Sequence, residues 1–213
     1  MQCHTNHTNG IYDIHDRFVN EGYCSACDVF EFMTFVFEMF VQYIGILPIR
    51  DTQIPLKAYV HSGVDWDSSF YDDINGAVNF GDGNVNTRYP LTVIDIVAHE
   101  IAHGFTAQYS DLLNTAESGA MDNAFSDLIG EVAQYLYYGS NDWRVGVFSY
   151  RAMTGNVGTR FMDNPPLDGA SIDNYAQYTP DMSPYYASGI YAKAMYLLSN
   201  DITFSDGLCA LHH

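Results

Sequence analysis

Val97-Ala98-His99-Glu100-Ile101-Ala102-His103-Gly104 carries the pattern H-E-x-x-H followed by a small residue. Val93, Ile96, Val97, Ile101 and Phe105 recur around it at roughly helical spacing, and no proline interrupts them, which predicts a helix. On a helix, His99 and His103 are one turn apart and point the same way. Two neutral imidazoles on one face can hold one Zn²⁺. Glu100 directly follows the first histidine, so its carboxylate can reach a water at that metal and act as general base. The competing reading is a helix that carries two histidines and a glutamate by chance. The pattern is short, and the helical context is what favours zinc.

Working outward, the 213 residues suffice for one large domain or two small ones with a real core. Lys and Arg total 8 against 26 Asp and Glu, a formal charge of −18. Acidity of this size argues against nucleic acid and anionic membrane as partners. It leaves carboxylates for Ca²⁺, although a solvated acidic surface accounts for most of them. The cysteines are Cys3, Cys24, Cys27 and Cys209. Cys24-Ser-Ala-Cys27 is a C-x-x-C without a second one, so it does not read as a zinc knuckle, and no thioredoxin-like β-α-β context surrounds it. A disulfide or a pair of idle thiols is the reading, with connectivity open. Met1 to Gly10 is polar and is not a signal peptide. Asn6-His7-Thr8 fits a glycosylation acceptor.

Residues 1–23 read as an irregular lead-in with scattered histidines. Residues 28–44 predict a buried helix with a narrow polar stripe of Asp28, Glu31, Thr34, Glu38 and Gln42, too short and too charged to span a membrane, and stopped by Gly45. Residues 55–61 alternate as a half-buried strand; Val64 to Gly76 reads as a loop; Ala77 to Phe80 can be a short strand and Gly81 to Asn84 a turn. A second helix is expected from about Ala120 to Tyr138, opened by Gly119 and closed by Gly139. After a loop-rich stretch from Asp142 to Asp181, a third helix is expected over about 186–198, its apolar face made of Ile190, Ala194, Leu197 and Leu198. Early strands followed by helices give an α+β class.

His99 to Gln108, then Glu117-Ser-Gly-Ala-Met-Asp-Asn-Ala-Phe-Ser-Asp127, resemble the thermolysin-like metallopeptidases, most of all the pseudolysin and vibriolysin branch. Phe80-Gly81-Asp82-Gly83, Arg160-Phe161-Met162-Asp163-Asn164-Pro165, Asp168 to Asp173 and Ser188 to Ala194 match in the same order. The resemblance runs from about residue 24 to about 200. It implies a zincin fold: a strand-containing N-terminal part over 24–109 ending in the H-E-x-x-H helix, and a mainly helical part over 110–213. Against the family's longer catalytic domain the chain looks truncated at both ends, so its remaining helices are expected to expose faces meant to be covered.

The resemblance also implies a ligand set. The family's third zinc ligand is a Glu in a pattern G-x-x-N-E-x-x-S-D, and that position here holds Asn123, a neutral oxygen donor. Asp122, one residue earlier, is turned by about 100° and is expected to point away. Asp127, one turn on, carries the role of orienting the first histidine. The family's oxyanion-stabilising histidine maps to Tyr185, its supporting aspartate to Ser183, and a helping tyrosine to Asn114, while Arg160 and the general base Glu100 are retained. Loss of one oxyanion donor typically costs about 10²–10³ in rate. Asp95, Glu131 and Asp142, with Gln134 where a Glu is usual, match the family's Ca²⁺ ligands, and the resemblance favours calcium there over a plain surface cluster of acids. The implied activity is zinc-dependent hydrolysis of peptide or protein substrates by a secreted enzyme. The alternative is a pseudopeptidase that binds peptide or metal without turnover. The sequence leaves the oligomeric state open.

Overall fold

The computed structural model describes residues 2–5 as backbone, and residues 25–50, 56–84, 86–110, 112–113, 115–151 and 157–201. Asn114, Cys24, Cys209, the Asn6-His7-Thr8 acceptor and the terminal histidines lie outside the described residues.

Helix α1 (Ser25–Met39) continues through a wider π turn at Phe40–Ile44 and stops at Gly45, whose φ of 82° is the left-handed conformation that glycine adopts without penalty. Val29, Met33, Val36 and Phe40 are fully buried at helical spacing, while Glu31, Thr34, Glu38 and Gln42 line the exposed stripe. Asp28 departs from that stripe: it is buried, and burial with the neighbouring Glu31 charge pushes its carboxyl up to about 7.

Four strands form one sheet in the order β1-β2-β4-β3. Strands β1 (Gln2–Thr5), β2 (Lys57–Val60) and β4 (Ala77–Phe80) run parallel; β3 (Ser69–Asp72) is antiparallel to β4, from Ser69 opposite Phe80 to Asp72 opposite Ala77. Two expectations are corrected here. Residues 2–5 are a strand rather than an irregular lead-in, since pairing at a sheet edge runs through backbone groups and tolerates a polar sequence. Ser69–Asp72 is a strand rather than loop. The turn that folds it back is pinned by Asp72, whose Oδ1 accepts the amides of Ile74 and Asn75 at 3.1 Å.

Helix α2 (Ile94–Tyr109) packs its apolar side on α1 and the sheet. Val97 and Ile101 join Met33, Val60, Val78 and Phe80 in the main core. Helix α3 (Ala116–Tyr138) runs alongside α2; it starts earlier than Gly119 and ends on Gly139 at φ 80°. A short hairpin of β5 (Arg144–Val145) and β6 (Arg160–Phe161) crosses the loop-rich stretch, and α4 (Pro184–Asp201) closes the chain's described part. No helix among the described residues is long and apolar enough to cross a membrane.

The buried face of α4 differs from the expected one. Ala187, Ser188, Gly189 and Ala192 are buried, whereas Leu197 and Leu198 are 52% and 59% exposed. Small residues win that face because the neighbouring backbone comes very close: a Cβ on Gly189 would lie 2.4 Å from the Ile172 carbonyl oxygen. The satellite core there is Ala124, Met162 and Ala192, fringed by Leu128, Trp143 and Met195.

Candidate functional site

Helices α2 and α3 lie against each other so that ionisable side chains four residues apart on α2 meet partners on α3. His103 meets Asp122, His99 meets Asp127, and Asp95 faces Glu131. The close approach depends on Gly130, where a Cβ would sit 2.7 Å from the Asp95 carbonyl oxygen.

His99 and His103 point their Nε2 atoms at each other, 3.0 Å apart. Behind each ring is a carboxylate. His99 Nδ1 lies 2.8 Å from Asp127 Oδ1, and His103 Nδ1 hydrogen-bonds Asp122 Oδ2 at 2.8 Å. With the His103 Nδ1 proton held by Asp122 and the His99 Nδ1 edge turned to the Asp127 carboxylate, both Nε2 atoms present lone pairs to one point. Two lone pairs at that separation repel unless a proton or a cation lies between them. Burial, then the charge of His103, hold His99 below the usual imidazole value despite Asp127. Burial also opposes charging His103, but the hydrogen bond to Asp122 and the charge of Glu100 outweigh it and raise its value.

Asp127 is fully buried and is gripped twice by Arg160, through Nε to Oδ2 at 2.7 Å and Nη2 to Oδ1 at 2.5 Å. Burial pushes Asp127 up, yet Arg160 and His99 hold it well below the usual carboxylate range. The Arg160 guanidinium stacks 4.3 Å from the Tyr185 ring centroid. Ser183 sits at the start of α4, its carbonyl accepting the amides of Tyr186 and Ala187.

Glu100 is 3% exposed. The Ser69 hydroxyl, from edge strand β3, donates to its Oε1 at 2.6 Å, and its Oε2 is buried without a partner. Ser69 was not singled out by sequence, and nothing in a polar S-S pair marks it before the strand is known to face α2. A cleft of about 540 Å³ opens here between β3 and the helices; His99, Glu100, His103, Asn123, Arg160 and Tyr185 all line it, with Phe70 and Leu113 as apolar wall.

Asn123 lies at the cleft, but its amide nitrogen donates to the Gly119 carbonyl at 2.8 Å. Asp122 does point away from the histidine Nε2 atoms, as one residue of helix rotation demands. It reaches instead the far nitrogen of His103, a partnership the spacing did not suggest. Among the described residues, no three His, Cys, Asp or Glu side chains gather into a metal-binding group. The donors still suit Zn²⁺ as two convergent imidazoles, with Asn123 and the unpartnered carboxylate oxygen of Glu100 on the same cleft.

At the other end of the helix pair, Asp95, Glu131 and Asp142 are close enough to perturb one another. Burial, countered by amides of Gly146 and Ile96, raises Asp95 to about 6; burial and then the Asp95 charge raise Glu131 well above the usual value. Asp95 Oδ2 accepts Gly146 N at 2.5 Å, and Glu131 Oε2 accepts Trp143 N at 2.8 Å and Asn141 Nδ2 at 3.0 Å. Glu131 Oε1 and Gln134 Oε1 are buried without partners.

The sequence matches two family models: thermolysin metallopeptidase, catalytic domain, over residues 2–107, and thermolysin metallopeptidase, alpha-helical domain, over residues 110–210. Among curated proteins it is 37% identical over 182 residues to a hemagglutinin/proteinase of Vibrio cholerae, covering 85% of this chain and 28% of that protein. It is 36% identical over 182 residues to a neutral protease of Vibrio proteolyticus, with the same shares, and 36% identical over 141 residues to a zinc metalloproteinase of Legionella pneumophila, covering 66% and 25%. The chain thus spans less than a third of these relatives. Among solved structures, the precursor of protealysin, a metalloproteinase from Serratia proteamaculans, superposes with a TM-score of 0.73 at 22% identity, covering 91% of this chain and 62% of that one. That likeness is one of fold, and it agrees with the α+β class.

Proposed function

The chain belongs to the thermolysin metallopeptidase family, and on that premise we propose that it is a zinc-dependent endopeptidase acting on peptide or protein outside the cell. The observation that carries the reading is the convergence of His99 and His103 Nε2 at 3.0 Å beside the unpartnered Oε2 of Glu100. His99, His103 and the Asn123 carbonyl would hold the metal, and Asp127 would fix the ring of His99. Bound there, Zn²⁺ supplies Lewis acidity toward a peptide carbonyl and a water.

The protein's own groups supply the rest. The Ser69 hydroxyl pins Glu100 Oε1, so Oε2 is the oxygen left to work. It takes a proton from the water whose oxygen bonds the carbonyl carbon, then delivers that proton to the amide nitrogen as the C–N bond breaks. The Tyr185 hydroxyl donates to the developing oxyanion, without positive charge of its own, and Arg160 beneath the ring holds it in place. An extended substrate lies along the free edge of β3, with an apolar side chain against the wall of Phe70 and Leu113.

A second metal role belongs to the acidic end. Asp95, Glu131, Gln134 and Asp142 offer hard oxygen donors, two of them unpartnered and buried, which suits Ca²⁺. Calcium there would offset three crowded carboxylates and stiffen the α2–α3 pair.

One observation favours a second reading, a pseudopeptidase. The third ligand position holds a neutral amide whose nitrogen is tied to Gly119, and Tyr185 brings no cation. Zinc titration of the purified chain, with His99→Ala as control, followed by a peptidase assay with Glu100→Gln, decides between them. About one zinc per chain with hydrolysis that Glu100→Gln abolishes supports the peptidase; zinc without hydrolysis supports the pseudopeptidase; no zinc overturns both metal readings.

A further inference from the structure

We infer that Asp122 is a positioning residue that supplies, from behind His103, the negative charge that a site of two imidazoles and an amide lacks; this rests on the zinc reading above. The two carboxylates behind the histidines are not equivalent. Both oxygens of Asp127 are engaged by the Arg160 guanidinium, so its charge is neutralised where it stands. Asp122 is buried and meets neutral partners: His103 Nδ1 at 2.8 Å and the hydroxyl of Thr106 on its other oxygen. The Ser126 hydroxyl completes the setting at 3.3 Å from the same His103 nitrogen. The charge of Asp122 is therefore uncompensated and is separated from the shared Nε2 point by one imidazole ring.

A carboxylate that accepts the Nδ1 proton makes Nε2 a stronger donor and fixes the ring's direction. Here it does more. Asp122 and Asn123 are neighbours on α3, one a carboxylate set behind a ligand and the other an amide set at the ligand position. The anion is displaced by one residue from where a third ligand would carry it. The displacement leaves the total charge within reach of the metal unchanged and moves it from direct contact to the outer side of His103.

The test uses the whole chain. Zn²⁺ affinity is measured by chelator competition for the wild type, for Asp122→Asn and for the double variant Asp122→Asn with Asn123→Glu, and each is checked for fold by a circular-dichroism melt. Removal of such a partner typically costs about 10–100-fold in metal affinity. Asp122→Asn, which is isosteric and keeps a hydrogen-bonding oxygen, is expected to fall in that range. The double variant, which returns the carboxylate one residue along, is expected to recover at least wild-type affinity. A merely structural aspartate, replaced by its isostere, would lower the melting temperature without a selective loss of zinc affinity. Wild-type affinity in folded Asp122→Asn, or no recovery in the folded double variant, overturns this inference alone. No zinc in the wild type overturns it together with the reading it rests on.

Discussion

The two ends of the α2–α3 pair are built on one plan and loaded differently. At one end, His99 and His103 meet Asp127 and Asp122, so each acid has a polar or cationic partner. At the other, Asp95 faces Glu131 with Asp142 alongside, and acids meet acids. Neutral imidazoles tolerate burial, and their carboxylates give them direction and, at Asp122, charge. Buried carboxylates crowded together pay for ionisation unless a cation arrives. At the histidine end one proton or cation between the two Nε2 atoms relieves the repulsion, while at the acidic end three crowded carboxylates must be offset.

Glu100→Gln tests the histidine end most sharply. Loss of a general base typically lowers rate by about 10²–10⁴, and peptidase activity is expected to fall that far with zinc content unchanged. A parallel loss of zinc would show that Glu100 helps build the site instead. Gly130→Ala strikes both ends at once, because its Cβ meets the Asp95 backbone. Overpacking of this kind costs about 1–3 kcal/mol, read as a lower melting temperature, and zinc affinity should fall with it. If stability alone moves, the two ends are independent.

The acidic end predicts a pH dependence of the metal-free protein. Asp95 is raised to about 6 and Glu131 is raised well above its usual value, so each binds its proton more tightly folded than unfolded. The stability they give is complete below about pH 4, the ordinary carboxylate range, and is lost as pH climbs through about 6 and beyond. The melting temperature should therefore drop between pH 5 and 8, an interval on the order of these values. Added Ca²⁺ should restore it at neutral pH, and Glu131→Gln should flatten both responses. A flat profile in the wild type would erase the contrast between the ends. The smallest effect expected is for Ser69→Ala. It frees one oxygen of Glu100 and should cost on the order of tenfold in activity, the low end for a hydrogen bond to a charged group.

Much of this was legible in the sequence. The run from Val93 to Phe105 carried the α2 helix and the convergence of its histidines, because spacing on one helix fixes which side chains share a face. The polar stripe of α1 and the stops at Gly45 and Gly139 were equally local. What escaped depends on a second element. Asp122 found His103 only because α3 crosses α2 in one register. Ser69 reached Glu100 because β3 lies at the sheet edge over α2. The face of α4 was misjudged for the same reason: large apolar residues signal burial only where a neighbour leaves room, and beside Gly189 the Ile172 backbone leaves none.

The four-residue step that places Asp95, His99 and His103 on one side of α2 has a consequence for how such a chain can evolve. A substitution at any rung is a local event that touches one partner on α3. One inserted or deleted residue between Asp95 and His103 turns everything beyond it by about 100° and uncouples every later rung at once. By geometry alone, the length of this stretch is constrained as a whole, whereas each side chain in it is constrained by its own partner.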